Sequence, residues 1–189
     1  FDVSVSDPKS RVLQLQGPKS FQIMHDATKG ALTQNFRYFH SGFFNVDGQQ
    51  VYVSRTGWTG ELGYEIYTLG EQTDCSRLWK HLMRKGEPFG MVFSSMQAMN
   101  IRRIEAGILD SGSDFDNSMT PFEAGLGKFV DFDKKGFIGH DALRIATPGT
   151  RLFGLRCCDA IPHGSDLIVC DSISVGKVTT GAFSPYLDC

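Results

Sequence analysis

No stretch of the 189 residues approaches the roughly 18 to 20 consecutive apolar side chains that a membrane-spanning helix requires. The first residues also lack the charged-then-apolar layout of a secretory signal. Charge of one sign is missing too. The 19 Lys and Arg against 21 Asp and Glu leave a formal net charge of -2, which gives no basic footprint for DNA, RNA or an anionic membrane surface. Cysteine is sparse. Five are present with no CxxC, and the neighbours Cys157 and Cys158 are poorly placed to bridge each other, so the thiols read as reduced. These absences predict a soluble, intracellular protein with no nucleic-acid and no membrane partner.

Motifs are absent as well. There is no GxxxxGK[ST] and no GxGxxG, which leaves nucleotide-driven chemistry unsupported, and no G-x-S-x-G elbow for a hydrolase nucleophile. His25, His40, His81, His140 and His163 follow neither HxxxH nor HxH spacing, and no metal site is predicted. Asp110, Asp114 and Asp116 stand in the wrong register for a calcium loop, and the run Asp110 to Asn117 reads as a solvated acidic loop.

With 41% hydrophobic and 21% charged residues, what remains is enough to bury a core. Val12-Leu13-Gln14-Leu15-Gln16 alternates at period two and predicts a strand, followed by a turn at Gly17-Pro18 and a helix presenting Phe21 and Met24. Two aromatic and β-branched runs between Phe36 and Arg55 meet at Asp47-Gly48, a dipeptide suited to the positive φ angles of a tight hairpin. A further strand is expected over Tyr64 to Thr68. Cys75, Leu78, Trp79, Leu82 and Met83 then fall on one helical face, opened by Thr73 and closed by Gly86. Another helix is expected from Ser95 to Ala106, stopped at Gly107. The interleaving gives an α+β class. Near Pro148 the texture turns to short strands, expected around Leu152 to Arg156, Asp166 to Val169 and Ser174 to Thr180. Residues 1–147 are therefore read as one domain and 148–189 as the start of a small β-rich second one. The start Phe1-Asp2-Val3-Ser4-Val5-Ser6 already alternates without an initiator Met, and the end stops without a polar tail. Both point to a piece of a longer protein.

The segment Arg55-Thr56-Gly57-Trp58-Thr59-Gly60-Glu61-Leu62-Gly63-Tyr64-Glu65-Ile66 places its glycines, one indole and two carboxylates between two strands. Glycines at that density predict backbone that bends tightly or lets something approach closely. The segment resembles the G-[YF]-T-G-E-x-G-[YF]-E stretch of the folate-binding aminomethyltransferase family. That family includes the glycine cleavage T-protein, dimethylglycine and sarcosine oxidising enzymes and methyl-sulfonium demethylases. Four further runs are similar to family motifs in the same order: Leu15-Gln16-Gly17-Pro18-Lys19, Arg103-Ile104-Glu105-Ala106-Gly107, Thr120-Pro121-Phe122-Glu123-Ala124-Gly125-Leu126 and Lys135-Gly136-Phe137-Ile138-Gly139.

The resemblance implies a tetrahydrofolate-dependent transfer of an aminomethyl or methyl unit. The donor it implies is an aminomethyl-lipoyl protein, a methylated glycine or a sulfonium acid. The setting is the cytoplasm, or the mitochondrial matrix of a eukaryote. Glu65 matches the family's pterin-binding glutamate, and a carboxylate can accept both parallel N–H donors on the edge of a reduced pterin. Its alternative role is a solvent-facing strand residue. Trp58 falls where the family has an aromatic that packs on the folate, with a core or rim role as the alternative. Arg103 opens the R-I-E-A-G match, but the family's tail-holding arginine lies four positions earlier, where this chain has Met99. Tail recognition then comes from Arg102, Arg103 or elsewhere, or the tail is held differently, and Arg103 with Glu105 near a helix end forms the structural alternative. Glu123 is read as orienting its loop through backbone hydrogen bonds. No catalytic residue is assigned. The family's proton-handling aspartate belongs to a stretch expected upstream of this chain, and Asp2, Asp7 and Asp26 do not match its context. A second reading is a non-catalytic folate-binding module of the same fold, with a regulatory or assembly role.

Overall fold

A computed structural model describes residues 2–189. Phe1, the first residue of the alternating start, lies outside them, and residues 2–11 form no strand. The chain divides into two compact units, one ending at Asn100 and one running from Ile101 to Cys189. Helix and sheet are mixed, as the α+β reading expected.

In the first unit the elements are β1 (Val12–Gln16), α1 (Ser20–Ala27), β2 (Ser41–Val46), β3 (Gln49–Ser54), β4 (Gly63–Tyr67) and α2 (Cys75–Gly86), and α3 (Met96–Glu105) begins at its end. The four strands form one antiparallel sheet in the order β1-β4-β3-β2. Their alternation has a direct consequence. Leu15, Tyr64, Ile66, Val51, Val53 and Val46 turn to one face, where they are buried against Ile23, Met24 and Ala27 of α1 and Leu78 and Leu82 of α2. Each such aliphatic side chain contributes on the order of 1.5–3 kcal/mol by leaving water. The opposite face of the sheet is left to polar and aromatic residues.

The hairpin between β2 and β3 turns at Asp47-Gly48, where both residues take positive φ, 53° and 79°. Asn45 Oδ1 accepts the Gly48 N–H at 2.9 Å, and Arg77 of α2 reaches back to Asp47 through Nε at 2.8 Å. That guanidinium holds the Asp47 carboxyl below its ordinary value. Gly48→Ala places a Cβ in the left-handed region and is expected to cost roughly 1–2 kcal/mol. The measurement is a urea midpoint, which should fall with the m-value unchanged; an unmoved midpoint would show that the turn does not set the hairpin.

Helix α2 starts one residue later than its sequence suggested. Asp74 is its N-cap and accepts the Arg77 N–H at 3.0 Å, whereas the Thr73 hydroxyl is engaged in accepting the Leu69 N–H at 2.9 Å. Trp79, placed by periodicity on the core face, stands at the rim with its ring edge-on to Phe93.

The second unit contains the end of α3, α4 (His140–Ile145) and the antiparallel hairpin of β5 (Leu167–Cys170) and β6 (Ile173–Lys177). No strand forms over 152–156, contrary to the sequence pattern. The Leu152 N–H instead donates to the Glu123 carbonyl at 2.8 Å, which fastens that run to a loop rather than to a ladder. The Glu123 side chain is a clasp. One oxygen accepts the Thr120 N–H and hydroxyl at 2.8 and 2.9 Å, and the other accepts the Gly149 N–H at 3.1 Å. The Thr120 N–H most of all, then its hydroxyl and Gly149, pull the Glu123 carboxyl from 4.5 to about 2. A pKa lower in the folded than in the unfolded state gives stability that is present above 4.5 and lost as pH falls toward about 2. Glu123→Gln is therefore expected to flatten this part of the acid dependence, read by near-UV circular dichroism. An acid limb identical to wild type would contradict the clasp.

Candidate functional site

On the outer face of the first unit's sheet, strand pairing aligns a polar row. Gln14 pairs with Glu65, Glu65 with Ser54 and Ser54 with Ser41. A row of directly opposed residues shares one face, so four polar side chains from four strands meet across the sheet. Beside it runs an aromatic row. Phe43 lies edge-on to Tyr52 with centroids 5.0 Å apart, and Tyr52 to Tyr67 with centroids 6.2 Å apart.

Glu65 is half-buried in this setting. Its Oε2 accepts from the Thr56 hydroxyl and, at 3.2 Å, from the Tyr67 hydroxyl, while Oε1 accepts from Gln14 Nε2 at 3.3 Å. Thr56 gives its proton to Glu65, so Ser54, hydrogen-bonded to the same Thr56 oxygen, must be the donor to it. Burial first, and then the charge of Glu65 and the hydrogen bond to it, raise the Tyr67 phenol above 10.0 and keep it a donor. The three donors take three of about four acceptor positions on the carboxylate, and the two longest contacts are those most easily exchanged.

Trp58 is half-buried on the loop between β3 and β4, in the same unit as Glu65. The loop is held from below by Gln16 of β1. Gln16 Oε1 accepts the Thr59 hydroxyl at 3.0 Å, and its Nε2 donates to the Thr56 carbonyl at 3.4 Å. A Cβ at Gly57 or at Gly63 would lie 2.1 Å from Gln16 Oε1. The close approach that the glycine density predicted is therefore made, at these two positions, by the protein's own carboxamide. Gly60, with φ 72°, supplies the tight bend.

Arg103 lies in the second unit, 2% exposed, where Nη1 donates to Asp114 Oδ2 at 2.5 Å and to the Ile108 carbonyl at 3.3 Å. Its pairing with Glu105 does not form as drawn from sequence: Glu105 takes Arg102 at 2.5 Å and the Ser184 hydroxyl at 2.5 Å. Asp114 corrects the reading of a solvated acidic loop. It is 4% exposed and also accepts the Asp110 N–H at 2.9 Å, Thr179 at 2.8 Å and Thr180 at 2.5 Å. Sequence reasoning did not single out Gln14, Thr56 or Tyr67, although the alternation of β1 put Gln14 and Gln16 on one face.

Among the described residues, no helix is long and apolar enough to cross a membrane. A family model described as the GCVT N-terminal domain matches residues 2–134. The aminomethyltransferase of Caldanaerobacter subterraneus subsp. tengcongensis is 37% identical over 188 residues, covering 97% of this chain and 50% of the relative. That of Streptomyces avermitilis is 34% identical over 197 residues, covering 99% and 52%. The crystal structure of glycine cleavage system aminomethyltransferase T from Bartonella henselae aligns with a TM-score of 0.71 at 25% identity, over 95% of this chain and 49% of that one. The chain spans about half the length of the curated relatives it matches.

Proposed function

The chain belongs to the GCVT N-terminal domain family, and from that premise we propose that it forms the pterin-holding part of a tetrahydrofolate-dependent one-carbon transferase of the aminomethyltransferase kind. The observation that carries this reading is the placement of Glu65. Its half-exposed carboxylate stands in a polar row of the sheet's outer face, next to a row of aromatic rings. The fit to a reduced pterin follows from acceptor capacity. One position on Oε1 is open, and the 3.2 Å contact from Tyr67 is the longer of the two on Oε2, so two parallel N–H donors displace at most one weak partner.

Bound tetrahydrofolate supplies a nucleophilic N5 that takes up the one-carbon unit. The chain's own residues bind and orient it. Glu65 fixes the pterin edge, Thr56 and Gln14 hold the carboxylate in place, and Trp58 covers ring surface and keeps water from it. Arg103 belongs to the second unit, where it holds the loop that carries Asp114. The relatives' name points to an aminomethyl group as the unit transferred, and the family resemblance points to a lipoyl protein as its carrier. The division into a folate-binding part over 1–147 and the start of a β-rich domain from 148 belongs to this proposal.

Titration of the folded chain with 5-formyltetrahydrofolate tests the reading by calorimetry. Saturable one-to-one binding is the expected result, and no heat from a chain shown to be folded would overturn it. A binding module of the same fold without transfer chemistry is the second reading. Folate binding with no aminomethyl transfer from a lipoyl donor selects it.

A further inference from the structure

We infer that Gln16 is a positioning residue for the proposed folate site, acting through Thr56 and Thr59 on the two groups that would touch the pterin. The inference rests on the functional reading above. Trp58 stands between Gly57 and Thr59, and Gln16 grips the chain on both sides of it. Its Nε2 holds the carbonyl of Thr56, and its Oε1 takes the hydroxyl of Thr59, which is 6% exposed. Thr56 then passes the constraint on, since its hydroxyl donates to Glu65 Oε2. One carboxamide therefore sets both the loop that carries the indole and the donor that orients the carboxylate.

The backbone around Gln16 is adapted to it. Gly57 and Gly63 both lack the Cβ that would come within 2.1 Å of Oε1, and neither takes positive φ, so their glycine identity is explained by room for this side chain rather than by a turn. Both ends of the amide are engaged, which fixes its direction. A glutamine that merely filled space between two strands would not need a donor on one side, an acceptor on the other and two glycines facing it.

The test uses the full chain in a Trp79→Phe background, where Trp58 is the one indole left of the two. Three variants are compared with that parent: Gln16→Ala, Gly63→Ala and the double variant. Without ligand, Gln16→Ala is expected to raise the acrylamide quenching constant of Trp58 about twofold, because the loop is released. Affinity for 5-formyltetrahydrofolate should fall about tenfold while the far-UV spectrum holds. Gly63→Ala should reproduce both changes by evicting the amide, yet add nothing once Gln16 is already alanine, because its clash partner is gone.

Unchanged quenching and affinity in a folded Gln16→Ala chain would overturn the assignment, and so would additive losses in the double variant. If Gln16→Ala does not fold, Gly63→Ala carries the same two readouts. If the parent itself binds no folate, the functional reading fails separately. The quenching data then decide on their own whether Gln16 holds the loop.

Discussion

Glu65→Ala is expected to lower the affinity for a reduced folate by about 100-fold, the consequence of leaving two N–H donors of a desolvated pterin without their acceptor. Glu65→Gln should lose nearly as much, since the new amide points a donor at a donor. Stability should barely move in either variant. Glu65 faces outward, while its neighbours Tyr64 and Ile66 face the core, and the freed Thr56 and Tyr67 hydroxyls can turn to water. The measurement is calorimetry beside thermal melting. An affinity within about threefold of wild type, in a variant with wild-type melting, would remove Glu65 from the site.

The second large effect concerns the buried pair of the second unit. Asp114→Ala removes the carboxylate that pairs with the 2% exposed Arg103 guanidinium, and breaking a buried pair from one side typically costs about 3–5 kcal/mol. The Thr179 and Thr180 hydroxyls and the Asp110 N–H lose their common acceptor as well. Replacing both partners by apolar residues, Arg103→Met with Asp114→Leu, should cost less than Asp114→Ala alone, because the buried charge leaves together with its carboxylate. Urea unfolding measures both, and a loss below about 1 kcal/mol for Asp114→Ala would mean that solvent reaches the arginine.

The pH dependence carries the same sign. Burial by itself raises the Asp114 carboxyl, but the hydrogen bonds from Thr180, Asp110 and Thr179 together with the Arg103 charge outweigh it, and the net direction is below 3.8. The pair's contribution is therefore complete above 3.8 and fades as pH falls through the lower folded value.

How far all this was legible in the sequence depended on the distance over which each feature is specified. Strands β1 to β4 and the turn at Asp47-Gly48 are written in residues two apart, and they form where the alternation put them. The six-residue helix α4 has too few positions to show a helical period, and it went unread. The strand expected at 152–156 failed because apolar spacing says nothing about whether a pairing edge is available. Glu65 was found only through its resemblance to a family motif. Two of its hydrogen-bond partners, Thr56 and Gln14, lie 9 and 51 residues away and are delivered by the loop and by pairing with β1. Asp114 looked solvated because its immediate neighbours are acidic and small. It is buried by two threonines 65 and 66 residues downstream, which no local pattern announces.

The alternation of β4 also bears on which genetic changes the protein can survive. Tyr64 and Ile66 face the core, and Glu65 and Tyr67 stand on the outer face of the sheet, so successive codons answer to different selective pressures. Single substitutions can drift at one set while the other is held. A one-codon insertion or deletion between Gly63 and Tyr67 has no such freedom, because it exchanges the two faces at once. Among natural variants of this strand, length should therefore vary far less than residue identity.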